Sequence, residues 1–153
     1  MKNILSKFKP EIKLLDLSDI DQQKSVLKLV VEKSKSDSDV TDNELLAISR
    51  FITGHQNVNF LSMGMFINSE MVGFIFSEVL NSKFATAHFW KANTTVSQHI
   101  YAYLMQQKAK LLHEHGCEFM NIEQDLGIGN LRKWKQSYSS EIFLKKFTIT
   151  QKL

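Results

Sequence analysis

The stretch Leu61-Ser62-Met63-Gly64-Met65-Phe66-Ile67-Asn68-Ser69-Glu70-Met71-Val72-Gly73-Phe74-Ile75-Phe76-Ser77-Glu78-Val79 decides the fold. Its first half sets Leu61, Met63, Met65 and Ile67 in alternation with Ser62, Gly64 and Asn68. A period of two marks a strand, because successive side chains leave a pleated backbone on opposite sides. Asn68-Ser69-Glu70 supplies turn chemistry, and Met71 to Val79 makes the returning strand. Asn81-Ser82 is a second turn, followed by Phe84 to Trp90 as a third strand. Three consecutive strands joined by short turns predict an antiparallel meander.

Downstream the period changes to that of a helix. From Ser97 to His115, Val96, Ile100, Tyr103, Leu104, Leu111 and Leu112 line one side of the longest helix. Gly116 stands where a helix stops, since glycine enters the left-handed conformation without the Cβ penalty. Cys117 to Ile122 predicts a strand, Leu131, Trp134 and Tyr138 a short amphipathic helix, and Ile142 to Ile149 a terminal strand. Upstream, Ile12 to Leu17 predicts a first strand, and Ser18, Asp19 and Asp21 open a helix carrying Val26, Leu27, Val30 and Val31. Ser34 to Asp39 reads as a polar loop. Thr41 and Glu44 have capping-box spacing and open a second helix through Leu45, Ile48 and either Ile52 or Phe51 to Gly54.

The chain has 153 residues and a formal charge of +3. That length suits one domain over residues 1–153 with its own core. The charge is too small to announce a nucleic-acid binder. Arg132, Lys133, Lys135, Lys145 and Lys146 nevertheless crowd the last quarter, either as a solvated face or as a phosphate-facing patch. Cys117 is the single cysteine, which excludes a disulfide framework and a Cys-rich zinc site and reads as a buried structural thiol. His88, His99, His113 and His115 have no metal-ligand spacing and are expected to be solvated or capping. No run approaches a membrane-spanning length, and Met1 to Pro10 lacks the apolar stretch of a signal peptide. The expected location is the cytoplasm, with peripheral membrane contact left open.

The densest chemistry lies in Asn121-Ile122-Glu123-Gln124-Asp125-Leu126-Gly127-Ile128-Gly129-Asn130-Leu131-Arg132-Lys133, at a strand-to-helix junction. Such junctions gather backbone N–H groups and side chains where α/β folds place their ligands. Glu123 and Asp125 suit the deprotonation or orientation of an amine nucleophile, and two such carboxylates raise one another's pKa. The structural alternative has one capping the turn and the other pairing with Arg132. Gly127 and Gly129 suit a tight turn. Arg132 and Lys133 at a helix start oppose its dipole, a local conflict that favours anion binding. Lys145 and Lys146 are neighbours on the expected last strand, so they point to opposite faces.

The order of elements is strand, two helices, three-strand meander, long helix, strand, short helix, strand. It resembles the Gcn5-related N-acetyltransferase (GNAT) fold, an α/β architecture with a central mixed sheet and helices on both faces. In that fold the turn into the long helix holds coenzyme A pyrophosphate with glycine-rich backbone. Here the turn is Trp90-Lys91-Ala92-Asn93-Thr94-Thr95-Val96-Ser97, without glycine. Lys91 suits a phosphate, and Thr94 and Thr95 suit helix capping. By analogy with late tyrosines of this fold, Tyr138 is a candidate general acid, with packing as the alternative.

Five segments carry a further resemblance: His88-Phe89-Trp90-Lys91-Ala92-Asn93, Asn121-Ile122-Glu123-Gln124-Asp125-Leu126-Gly127-Ile128, Leu131-Arg132-Lys133, Ser137-Tyr138 and Leu144-Lys145-Lys146-Phe147. They resemble the phosphatidylglycerol lysyltransferase C-terminal-like family, as do Glu44 and Phe74 to Asn81. Members usually hold two GNAT-like halves, and this chain resembles the second. The resemblance implies an aminoacyl-tRNA donor and a phospholipid acceptor, no required cofactor, and a homodimer in place of the missing half. It implies catalytic roles for Glu123, Asp125 and Tyr138. It also implies donor or anion contacts at Lys91, Asn93, Gln124, Gly127, Arg132, Lys133, Lys145 and Lys146, and no metal. Two rival readings stay open: a non-catalytic module binding tRNA, phospholipid headgroups or protein, and an acetyl-CoA-dependent N-acetyltransferase.

Overall fold

β2 (Phe60–Ile67) and β3 (Glu70–Val79) form the expected hairpin, with Ile67 opposite Glu70. The two turn residues, Asn68 and Ser69, have φ of 50° and 64°. This left-handed pair gives a two-residue loop whose twist matches that of the strands. β4 (Phe84–Ala92) returns beside β3, and the Asn81 side chain shapes that turn by accepting from the Lys83 and Phe84 N–H groups. β1 (Glu11–Leu14) adds antiparallel to β2, and β5 (Phe119–Asn121) adds parallel to β4, giving a five-stranded mixed sheet in the order β1-β2-β3-β4-β5. The computed structural model describes residues 8–33, 38–54, 56, 58–139, 142, 143, 145, 147, 149 and 150.

Alternation along the strands divides the core into two faces. Phe74 and Phe76 pack with Leu15, Val26, Leu29, Val30, Ile48 and Ile52, under α1 (Ile20–Lys33) and α2 (Ser38–Gly54). Ile75, with Met63, Met65 and Ala87, packs on the other face against Ile100, Tyr103 and Leu104 of α3 (Ile100–Glu114). Helices therefore cover both faces, and α3 is the crossover that lets β5 run parallel to β4. Gly116, at φ 84°, follows the end of α3 as expected and turns the chain towards β5. A short α4 (Gly129–Gln136) follows. The chain packs as two compact units, Met1–Asn121 and Ile122–Leu153.

Several boundaries differ from expectation. β1 stops at Leu14, before Leu15 and Leu17 turn into the core. α2 starts at Ser38, so Thr41 lies inside the helix and is not its cap. α3 starts at Ile100, because Thr95 binds the Asn93 side chain instead of capping. In the expected terminal strand, residues 142, 143, 145, 147 and 149 are not in a strand, while Leu144, Lys146 and Thr148 lie outside the described residues. No helix among the described residues is long and apolar enough to cross a membrane.

Candidate functional site

The β4–β5 ladder is short. It runs from Phe84 opposite Phe119 to Thr86 opposite Asn121, while β4 itself continues to Ala92 along β3. The sheet changes from antiparallel to parallel pairing at this seam. At the far end of β4, the Lys91 ammonium lies 2.7 Å from Glu44 on α2, both side chains about a quarter exposed (21% and 26%). Lys91 is thus paired, and its partner comes from a distant helix that local sequence patterns do not connect with it.

Beyond Lys91 the chain turns on Asn93. Its Oδ1 accepts from Lys33 Nζ at 2.5 Å and from the Thr95 N–H and hydroxyl at 3.1 and 2.6 Å. The Asn93 N–H donates to Val72 O, Val96 N–H to Asn93 O, and Ile100 N–H to Ser97 O. His99 N–H donates to Ser97 Oγ. In a phosphate-cradling loop such N–H groups point at the ligand. Here Val72 of β3 and the turn itself occupy these donors.

The second unit is built around Asp125. Its carboxylate accepts from Arg132 Nε at 2.5 Å and Nη2 at 3.3 Å, and from the Gly127 N–H at 2.9 Å. Leu126 at φ 53° and Gly127 at φ 78° make the tight turn that brings these groups together. The hydrogen bond from Arg132, followed by that from Gly127, holds the Asp125 pKa down at about 2. The expectation that the two carboxylates raise one another's pKa is therefore corrected for Asp125: a guanidinium, not a second carboxylate, dominates its surroundings. Arg132 gains a carboxylate partner, which resolves its conflict with the helix dipole.

Lys135 organises the preceding loop. Its Nζ donates to the carbonyls of Ile122, Glu123 (3.1 Å) and Gln124 (2.8 Å). This bundle helps hold Glu123 at φ 58°, with Glu123 and Gln124 exposed. Lys133 and Lys145 are exposed as well, and Lys146 lies outside the described residues. Tyr138 packs edge-on against Trp134, ring centroids 5.1 Å apart. Burial raises its pKa, so the phenol keeps its proton at neutral pH.

Sequence reasoning missed three features. Glu44 neutralises Lys91. His88, expected to be solvated or capping, pairs with Glu78. Lys108 is fully buried on α3, where its Nζ donates to Leu61 O at 2.5 Å and burial lowers its pKa to about 7. A lysine in an amphipathic helix reads as surface, and nothing local marks this one as core. Among the described residues no group of three or more His, Cys, Asp or Glu side chains is placed to hold a metal ion.

The family model described as "Phosphatidylglycerol lysyltransferase, C-terminal" matches residues 11–150. No curated protein matches the chain by sequence. A conserved protein of unknown function from Bacteroides thetaiotaomicron superposes with a TM-score of 0.73 at 20% identity, over 92% of this chain and 48% of its own. The chain thus spans about half the length of that relative. An aminoglycoside acetyltransferase from an uncultured soil metagenomic sample gives 0.66 at 17% identity, covering 97% of this chain and 99% of its own. A ribosomal-protein-alanine N-acetyltransferase from Brucella melitensis gives 0.65 at 12% identity, covering 94% and 99%. At these identities the likeness shows the fold, and that fold is the GNAT acyltransferase fold.

Proposed function

Since the chain belongs to the phosphatidylglycerol lysyltransferase C-terminal family, we propose that it is an aminoacyltransferase domain whose donor is an aminoacyl-tRNA ester. The observation that carries this reading is the occupied turn between β4 and α3. The N–H groups of Asn93, Thr95, Val96, His99 and Ile100 are bonded within the protein, and the turn has no glycine to bring further donors close. A CoA thioester presents a pyrophosphate that needs such donors. An aminoacyl ester of tRNA has none.

The transfer joins an acceptor hydroxyl or amine to the acyl carbonyl carbon. The ester C–O bond to the tRNA ribose breaks, and the acceptor's proton passes to a base while the ribose oxygen regains one. In the first unit, Lys91 and Asn93 serve the donor phosphates. In the second, Arg132, Lys133 and Lys145 add positive charge, and Gln124 and the Gly127 turn contact the donor. Glu123 is the exposed carboxylate suited to the acceptor. Asp125, bound to Arg132, shapes the turn instead. Tyr138 keeps its proton and suits a proton donor to the leaving oxygen. The acceptor of this reading is a phospholipid headgroup, and two copies of the chain pair as a homodimer.

Binding titrations with acetyl-CoA and with aminoacylated tRNA test the reading. Saturable binding of charged tRNA, tighter than that of uncharged tRNA, with no response to acetyl-CoA supports it. Micromolar binding of acetyl-CoA overturns it. The engagement of Asp125 by Arg132 favours a second reading, a non-catalytic binding module. That module would hold tRNA and release it unchanged in the presence of phospholipid vesicles.

A further inference from the structure

We propose that the Glu78 carboxylate, held by His88 at a bulge of β4, binds the primary amino group of a substrate. The register places Phe76 opposite Phe89 and Ser77 opposite Ala87, which leaves His88 as the extra residue of β4. Such a bulge re-aims a side chain, and bulges concentrate beside active sites. Here it sets His88 Nε2 at 2.9 Å from Glu78 Oε2, across the β3–β4 ladder. The bulge lies just past the last β4–β5 pair, Thr86 with Asn121, where β5 ends and β4 runs on.

The surroundings are aromatic. Phe51 of α2 and Phe60 of β2 lie with ring centroids 6.1 and 6.4 Å from the imidazole, and Phe51 stacks on Phe76. Glu78 and His88 keep 26% and 29% of their side-chain surface, so a ligand reaches them. Among the described residues no lysine or arginine pairs with Glu78, and none of them hydrogen-bonds its Oε1. Lys91, the nearby cation of β4, is taken by Glu44.

A part-buried carboxylate in aromatic surroundings gains from a nearby cation. The imidazole engages one oxygen and leaves Oε1 for a cation. A primary ammonium completes the arrangement, because it donates a charge-assisted hydrogen bond to Oε1. The occupant rests on the reading above: it is the amino group of either the acceptor or the aminoacyl donor.

The test is an NMR titration of the full chain at neutral pH with two probes. Cadaverine is an alkylamine without an acyl group and stands for an acceptor, and glycinamide carries an α-amino group and stands for the donor. Saturable shifts at Glu78, His88, Phe51 and Phe60 are expected with one of them and not with the diol matching cadaverine. Whichever amine binds assigns the site to the acceptor or donor side. Glu78→Gln keeps an acceptor for His88 and should weaken binding by about tenfold or more, the loss of one charge-assisted contact. Glu32→Gln on α1 should change nothing, and His88→Gln, with folding checked by circular dichroism, should give a smaller loss than Glu78→Gln. No saturable shift with either amine, or equal binding by Glu78→Gln and the unmodified chain, overturns the proposal. The titration reads binding without turnover, so it stands or falls independently of whether aminoacyl-tRNA is the donor.

Discussion

Asp125 and Arg132 are locked together, Oδ2 to Nε at 2.5 Å, one residue ahead of α4 and the other in its first turn. The pair gives α4 a carboxylate near its positive end, and α4 has neither an acidic first turn nor a side-chain cap of its own. The contact closes the turn in which Leu126 and Gly127 adopt positive φ.

The Asp125 carboxyl should therefore titrate with a midpoint of about 2, followed by carboxyl-carbon NMR. In Arg132→Gln the midpoint should move back towards the ordinary carboxylate range. The sign follows from a depressed acid. Its stabilisation is present above the unfolded value near 4 and is lost as pH falls through about 2.

Lys108 predicts a rise of stability with pH as well, in a higher window. Burial pushes its pKa from 10.5 down to about 7, partly opposed by Cys117. The unfolded chain thus holds the proton between about pH 7 and 10.5 while the folded chain releases it, so stability rises with pH across that window. The rise should be on the order of a few kcal/mol in urea unfolding. Lys108→Met should flatten it, and a parallel slope in the variant would show that Lys108 is not its source.

Gly116→Ala isolates a backbone effect. A Cβ there would lie 3.6 Å from Ser82 O, an ordinary contact, so the penalty comes from φ 84°. The expected loss is roughly 1–2 kcal/mol, or a few degrees in Tm, read by thermal denaturation. An unchanged Tm would mean that the residue relaxes to negative φ.

The Lys91–Glu44 pair sets the charge at the end of β4. Lys91→Met should weaken tRNA binding and lower the slope of log affinity against log salt by about one. Glu44→Gln frees the ammonium and should act in the opposite direction. Identical salt slopes in all three proteins would remove Lys91 from the donor site.

The meander was legible because alternation along Leu61 to Val79 and the Asn68-Ser69 turn are local signals, as was Gly116 at the end of α3. Helix starts were less so. Ser18 and Asp19 marked α1 well, whereas the start of α3 depends on Asn93 drawing Thr95 away from a capping role. The Asp125–Arg132 contact was readable as the structural alternative. Glu44 with Lys91, and Lys108 with Leu61, join residues far apart in the chain, and no periodicity encodes such pairings. The His88 bulge is a register event between two strands, invisible in either strand alone.

The meander also fixes an order of assembly. β2, β3 and β4 pair through short turns, so their closure has a small entropic barrier and forms early. β1 must find β2 across α1 and α2, and β5 must wait for α3. Only three residues of β5 pair with β4. That short ladder is the part of the sheet a thermal fluctuation undoes most readily, which predicts that hydrogen exchange at Phe119 to Asn121 outpaces exchange in β3. The edge beside Glu78 and His88 is thus the part of the sheet expected to open first, ahead of the three-strand core.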